Sequence, residues 1–467
     1  MKETGGNMNT LRKTGAVLIS VSLAAGILAG CGSGSSAETT SVSTTTAAAS
    51  SAAGTTTEAS SGSGSVALTF SWWGNQTRND RTQKAIELYC QNNTDVTIDG
   101  QFSQWADYWQ KLATASAGEQ LPDVLQMDYQ YIAQYGSSDQ LLDLTPYVES
   151  GVLDTSNWDE NMISAGTVDG KFIAVTAGIN VPAMVYNKTV TDQAGVTIKD
   201  NMTLDEFIEV CRTIYENTGY KTSMKYGATQ ELFSYWVRSD DNVLLDEEQI
   251  QATQEQMEKY FGVYEQGIEE GWELDPSVFA EISIGSVEQD PLIGGTTPET
   301  SSWVMFCWSN QYTALTQQAD GRELEMTTWP SPDPQKSDYL KPSQFFSVSQ
   351  TSANPDEAVE FINWLINSSE ANNILLGERG VPVNSEIAAE VKAQLSETDQ
   401  KTYDFLYDVV MPESSPIDPP YPSGYAEVGT TLNNLVEQIC YQQIDSAEAA
   451  EQFIAQGNSI LQAKSSE

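Results

Sequence analysis

Side chains able to do chemistry are unevenly supplied in this chain. Its 467 residues include 65 acidic and 22 basic ones, and no histidine. Without imidazole the chain lacks the commonest general base near neutral pH and the usual zinc ligand. Ser-His-Asp and Cys-His catalysis are therefore excluded. Hydrolysis by two carboxylates needs no histidine and stays open, although no motif marks such a pair. Of the cysteines, Cys90, Cys211, Cys307 and Cys440 are far apart and show no metal-ligand spacing. Cys90 and Cys211 lie among apolar neighbours on predicted helices, which points to buried free thiols, and sequence alone pairs none of the four. Asp240-Asp241-Asn242 followed by Asp246-Glu247-Glu248 lacks the glycine and alternating ligands of an EF-type calcium loop and reads as a solvated helical face. No nucleotide-binding Gly-x-x-x-x-Gly-Lys-Ser/Thr loop is found. No metal and no cofactor are expected. A formal net charge of −43 disfavours nucleic acid and polyanionic ligands and leaves neutral or cationic ones open.

The fifth cysteine is different. Cys31 follows Leu28-Ala29-Gly30, an apolar run from about Gly15, and the basic pair Arg12-Lys13. Basic, apolar and small residues in that order describe a secretory signal over 1–30. The run is shorter than the roughly 20 residues a membrane-spanning helix needs. A cysteine directly after Leu-Ala-Gly resembles a bacterial lipobox, whose thiol takes a diacylglycerol. Residues 32–65 are Gly, Ser, Ala, Thr and Glu apart from Val42. Such a tether, spanning about 30 Å as a flexible coil, buries no apolar surface and is expected to stay disordered.

The elements that would position a site begin at Val66, in a stretch to Lys464 too long for one ordinary core, so two lobes are expected. Val66–Trp73 reads as a strand ended by Gly74-Asn75. A helix carrying Ala85, Leu88 and Tyr89 follows, then a strand at Val96-Thr97-Ile98. The next helix places Trp105, Tyr108, Trp109, Leu112 and Ala113 on one face, and Pro122–Gln126 reads as a buried strand. This alternation predicts an α/β fold with mainly parallel sheets flanked by helices. Later strands are read at Met184–Lys188, Trp303–Trp308 and Gln344–Ser349. Helices are read from Thr203, from about Asn310, from Asn354-Pro355-Asp356-Glu357, and over about 426–441 and 446–463. Residues 240–272 read as acidic and helical, and five prolines make 411–425 a loop.

These blocks, taken in order, resemble the family 1 extracellular solute-binding proteins, the maltodextrin-binding-like receptors of sugar importers. The resemblance rests on Phe70–Asn75, Leu121–Val124, Leu141–Pro146, Gly170–Phe172, Val185–Lys188, Trp308–Asn310, Asn354–Ala358 with Phe361, Gly380–Asn384 and the terminal helix pair. It covers nearly all of 66–463. It implies a two-lobed, type II periplasmic-binding-protein fold that closes on ligand by rotation about hinge strands. By the same resemblance the first lobe takes 66–181 and 329–367, and the second takes 182–328 and 368–467. It also implies a monomeric, non-enzymatic receptor that hands a carbohydrate, most simply an oligosaccharide, to permease subunits. With Cys31, the place would be the outer face of the membrane of a single-membrane, Gram-positive type bacterium. A polyol or glycerol-phosphate receptor and a lipid-anchored glycoside hydrolase are the alternatives.

A sugar offers an apolar C–H face and a rim of hydroxyls, so its site needs flat rings and fixed polar groups. Eleven tryptophans are available, and position must sort them. Trp105, Trp109 and Trp364 fall on helical stripes and are assigned to packing. Ligands sit beyond the carboxyl ends of strands in open α/β sheets, which favours Trp73, Asn75 and Arg78. Alternation allows only one of Trp72 and Trp73 to face the cleft. Asp128 and Tyr129 follow another strand end, Asp128 being a hydroxyl acceptor or a helix cap. Asn180, at the presumed hinge, is a hydroxyl partner or a turn residue. The resemblance places Trp308 in the cleft, with Asn310 beside it. Trp303 is cleft wall or strand core, Trp329 sits at a hinge strand, and Phe345 starts a strand returning through the first lobe. Arg379 binds a hydroxyl or a helix end equally well. Tyr421 and Tyr425 rim the pocket from the proline-rich loop.

Overall fold

The structure, a computed structural model, describes residues 65–464 except 225–228 and 283–286. The expected signal over 1–30, the lipidated Cys31 and the tether up to residue 64 lie outside the described residues. Among the described residues no helix is long and apolar enough to cross a membrane.

The strands are β1 Val66–Trp73, β2 Val96–Ser103, β3 Val124–Met127, β4 Thr167–Val168, β5 Lys171–Phe172, β6 Val175–Asn180, β7 Pro182–Asn187, β8 Lys221–Ser223, β9 Ser302–Trp308, β10 Leu324–Thr327 and β11 Lys341–Val348. In β1 the period-two pattern buries Leu68, Phe70 and Trp72 together. Phe70 meets Phe346 and Phe361 edge-on, at 5.5 and 5.7 Å between centroids. The first sheet runs β2-β1-β3-β11-β6 and the second β10-β7-β9-β8, while β4 and β5 form a small hairpin. The α/β, two-lobed architecture holds. Both sheets are mixed rather than mainly parallel. β1 is parallel to β2 and β3, and β8 to β9. The strands that carry the chain between lobes run the other way: β11 opposes β3 and β6, and β7 opposes β9 and β10.

Helix ends follow their local chemistry. Thr203 and Glu206 form a reciprocal capping box before the helix Leu204–Thr218, and Gly219 ends it at φ 78°. Asn75 Oδ1 accepts from the Arg78 backbone N–H at 2.9 Å and so caps the helix Gln76–Asn92. Residues 240–253 are not helical, and the helix is confined to Gln254–Glu270. The Asp246 carboxylate takes the backbone N–H groups of Glu248 and Gln249 into a turn, an alternative to helix that short acidic side chains favour.

Each sheet has its own core, one built around Phe70, Val124 and Phe346 and one around Phe207, Trp236 and Trp303. The chain passes from first to second between β6 and β7. Its return falls at Leu340–Lys341 and not near Trp329, because residues 328–339 stay on the second lobe. There Ser331 exchanges backbone hydrogen bonds with Met202 and Leu204, and the Trp236 indole donates to Pro330 O at 2.8 Å. The last crossing is likewise not at 367. The helix Ser369–Leu375 packs on Gln76–Asn92, and Ile387, Val391, Leu406 and Val410 join the first core. Only the stretch 411–424 leaves that lobe, and the helices Tyr425–Cys440 and Ser446–Lys464 then pack on Gln254–Glu270. Cys90, Cys211, Cys307 and Cys440 are all free thiols.

Candidate ligand-binding cleft

Side chains from both lobes and from the last crossing converge beyond the end of β3 and the start of β11. Asp128, directly after β3, is half-buried, and its Oδ1 accepts from the Gln130 backbone N–H at 2.9 Å. Burial raises its carboxyl above the ordinary range, and the charge of Lys341 opposes that rise. Glu231 lies in the first turn of the helix Thr229–Arg238 of the second lobe. Burial raises it too, against its own backbone N–H and again Lys341. Lys341 thus acts on one carboxylate from each lobe, and its ammonium lies 5.2 Å from the centroid of the Trp308 ring. Trp308, half-buried at the end of β9, packs on Trp329 at 5.7 Å and Tyr339 at 6.3 Å.

The last crossing closes one side. Tyr421 and Tyr425 stack at 3.8 Å and 5° interplanar angle, and Tyr421 meets Tyr129 edge-on at 5.5 Å. Burial raises the hydroxyls of Tyr421 and Tyr425, and the charge of Glu231 adds to this in both. The Tyr425 hydroxyl is buried without a hydrogen-bond partner of ordinary geometry. Arg238, a buried guanidinium, holds the loop in place. It pairs with the Asp418 carboxylate, donates to Ser415 Oγ at 2.7 Å and Pro416 O at 2.8 Å, and reaches Ser337 O at 3.1 Å. From the first lobe the Tyr129 hydroxyl donates to Asp418 O. A cavity of about 340 Å³ opens beside the loop, lined by Thr167 and Asp169 of the first lobe, Ser234, Leu245 and Glu247 of the second, and Tyr421 and Tyr425.

The residues expected to meet ligand divide sharply. Asp128, Tyr129, Trp308 and Tyr421 come together. Asn180 and Asn310 line a separate cavity of about 290 Å³ on the hinge, with Arg81 and Tyr403. Gly178 permits a close approach there: a Cβ on it would lie 2.3 Å from Arg379 O. The remaining candidates are spent inside a lobe. Asn75 is a helix cap. Arg78 pairs with Glu378 at 2.8 Å and donates to Trp73 O at 3.1 Å. Arg379 is buried, bonded to Gln126 Oε1 at 3.0 Å and Thr82 Oγ1 at 2.9 Å, and burial beside Arg78 lowers it to about 9. Trp303 is fully buried, its indole donating to Thr222 Oγ1 at 2.8 Å, so it is strand core. Trp329 is fully buried behind Trp308 and donates to Ala183 O at 2.8 Å, and Phe345 is fully buried behind Tyr129. Trp72 faces helix Gln76–Asn92, bonded to Asn79 at 3.0 Å, and Trp73 faces Trp105, Tyr108 and Trp109 with 8% of its surface exposed.

Sequence reasoning missed four participants: Glu231, Arg238, Tyr339 and Lys341. It also misplaced Trp105. That residue is 41% exposed at the start of its helix, past the end of β2, and with Tyr131 and Trp109 it forms an aromatic ledge. The signal that could have found it was the strand-end rule already applied to Trp73.

Two sheet-and-helix lobes joined by three crossings, with rings and carboxylates meeting between them, define a two-lobed binding protein. The chain belongs to the bacterial extracellular solute-binding protein family, whose model matches residues 73–372. A 125-residue stretch is 30% identical to the diacetylchitobiose binding protein DasA of Streptomyces coelicolor, covering 27% of this chain and 28% of that protein. A family 1 extracellular solute-binding protein from Alicyclobacillus acidocaldarius superposes with a TM-score of 0.75 at 25% identity, covering 85% of this chain and 99% of that one. A periplasmic oligogalacturonide binding protein from Yersinia enterocolitica superposes with a TM-score of 0.72 at 21% identity, over 85% and 100%.

Proposed function

We propose that this chain is the membrane-tethered receptor of an ABC-type importer, a monomer that captures an oligosaccharide between its lobes and delivers it to permease subunits. The observation that carries the reading is the meeting of Trp308, Asp128, Lys341, Glu231 and the Tyr421–Tyr425 pair. Rings suit the apolar face of a sugar, and half-buried carboxylates suit its hydroxyl donors. The names of the Streptomyces and Yersinia proteins, each a binder of short sugar chains, support the same ligand class. Closure would bring Asp128 of one lobe and Glu231 of the other onto one ligand, and the occupied form would be what a permease recognises. Cys31 would carry the lipid, and the low-complexity tether would raise the effective concentration of the receptor at its permease.

Incubating the purified chain with mixed glycans tests the reading. Heat-stabilisation by a glycan recovered intact supports a receptor. Release of shortened products would overturn it in favour of a hydrolase using two carboxylates.

A further inference from the structure

Among the described residues, cationic side chains near the cleft are nearly all committed elsewhere. Arg238 is bonded to Asp418, Ser415, Pro416 and Ser337, and it holds the crossing loop. Arg78 and Arg379 are bound within the first lobe. Lys341 remains, and it answers both Asp128 and Glu231 while covering the Trp308 ring. The cavity beside the crossing loop is lined by Asp169, Asp246 and Glu247 and, among the described residues, by no lysine or arginine. A ligand carboxylate, sulfate or phosphate entering here meets carboxylates, and the charge of Lys341 already acts on two of them. Hydroxyl groups, by contrast, are the donors that such carboxylates accept.

We propose that the cleft selects neutral, hydroxyl-rich oligosaccharides and rejects uronate, sulfated and phosphorylated ones. This rests on the carbohydrate reading above and adds the sign of the ligand's charge. It sets the chain apart from its Yersinia structural neighbour, named as an oligogalacturonide binder. It also disfavours a glycerol-phosphate ligand. Selection works by repulsion: an anionic group left unpaired in a partly desolvated cleft loses its hydration and gains no partner. Glu231 is the element that enforces it from the second lobe.

The test is a binding screen of the purified chain against mixed oligosaccharides from plant and microbial polysaccharides, separated into neutral and acidic fractions by anion exchange. The tightest neutral ligand is then titrated beside its uronate counterpart. The expected result is capture from the neutral fraction alone, with the uronate form at least roughly a hundredfold weaker. In Glu231→Gln, an isosteric change checked for an unchanged melting temperature, the neutral ligand should weaken at least tenfold. The uronate form should bind more tightly than it does to the parent protein, so the neutral-to-uronate gap should shrink by more than that factor. Capture from the acidic fraction with equal or higher affinity would overturn this inference and leave the carbohydrate reading standing. Capture from neither fraction would overturn both.

Discussion

Two regions at the carboxyl edge of the first sheet look alike in sequence and behave differently. The end of β1 offers Trp73, Asn75 and Arg78, while the region around the end of β3 and the start of β11 offers Asp128, Tyr129 and Lys341. In the first, each polar group finds a partner within its own lobe: the helix cap, Glu378, the Trp73 carbonyl. In the second, partners come from the other lobe or from the last crossing: Glu231, Trp308, Asp418 and Tyr421. A group paired inside its lobe is part of the scaffold. One whose neighbours arrive from a different lobe reports where a ligand and a hinge act.

The comparison is most exposed to Arg379→Ala. Losing a buried guanidinium leaves Gln126 Oε1 and Thr82 Oγ1 without their donor, so unfolding stability should fall by about 3 kcal/mol, read from the denaturant midpoint, while the folded fraction keeps its affinity. A lost affinity with unchanged stability would reverse the assignment of the two regions. Next comes Asp338, fully buried beside the crossing, one oxygen accepting from Tyr235 at 2.7 Å and the other unpartnered. Burial raises its carboxyl to about 7, against the pull of Tyr235 and Arg238. The folded state therefore holds this proton more tightly than the unfolded chain. Stability falls as pH rises from about 4 through 7, by about 2 to 4 kcal/mol, and then levels. Asp338→Asn should melt progressively higher than the parent protein as pH climbs through that window. Equal pH profiles for the two would contradict the burial argument.

A smaller effect is expected at the contact that ties Tyr129 to the crossing loop. Tyr129→Phe removes one hydroxyl and frees Asp418 O, so ligand release in stopped flow should quicken by about threefold to tenfold with little change in association. Unchanged release would mean that this tie plays no part in holding ligand. Smallest is Trp105→Ala. An exposed ring on the aromatic ledge should matter only to longer ligands, weakening them by about threefold and leaving disaccharides alone.

How much of this was legible beforehand follows from the kind of signal each residue carries. The alternation in β1, the capping box at Thr203 and Glu206, and the terminal helices were readable because period or cap marks them. Glu231 and Lys341 were not. In a chain with 65 acidic residues a single glutamate on a helix looks like any solvated one, and its role exists only because another lobe faces it. The boundary past Val410 was hidden for a related reason. The helices Ser369–Leu375 and Ser385–Lys392 show apolar faces, but a face does not say which of two cores it will meet. Trp303 and Trp329 show the reverse failure: both are large rings at strand positions, and only tertiary packing separates them from Trp308.

The central claim is that the second region, and not the first, holds the ligand. Titration calorimetry of the preferred neutral oligosaccharide with Trp308→Ala tests it most directly. Removing the ring that faces Lys341 should weaken binding at least tenfold while the protein still melts cooperatively. Unchanged affinity in that variant would contradict the account.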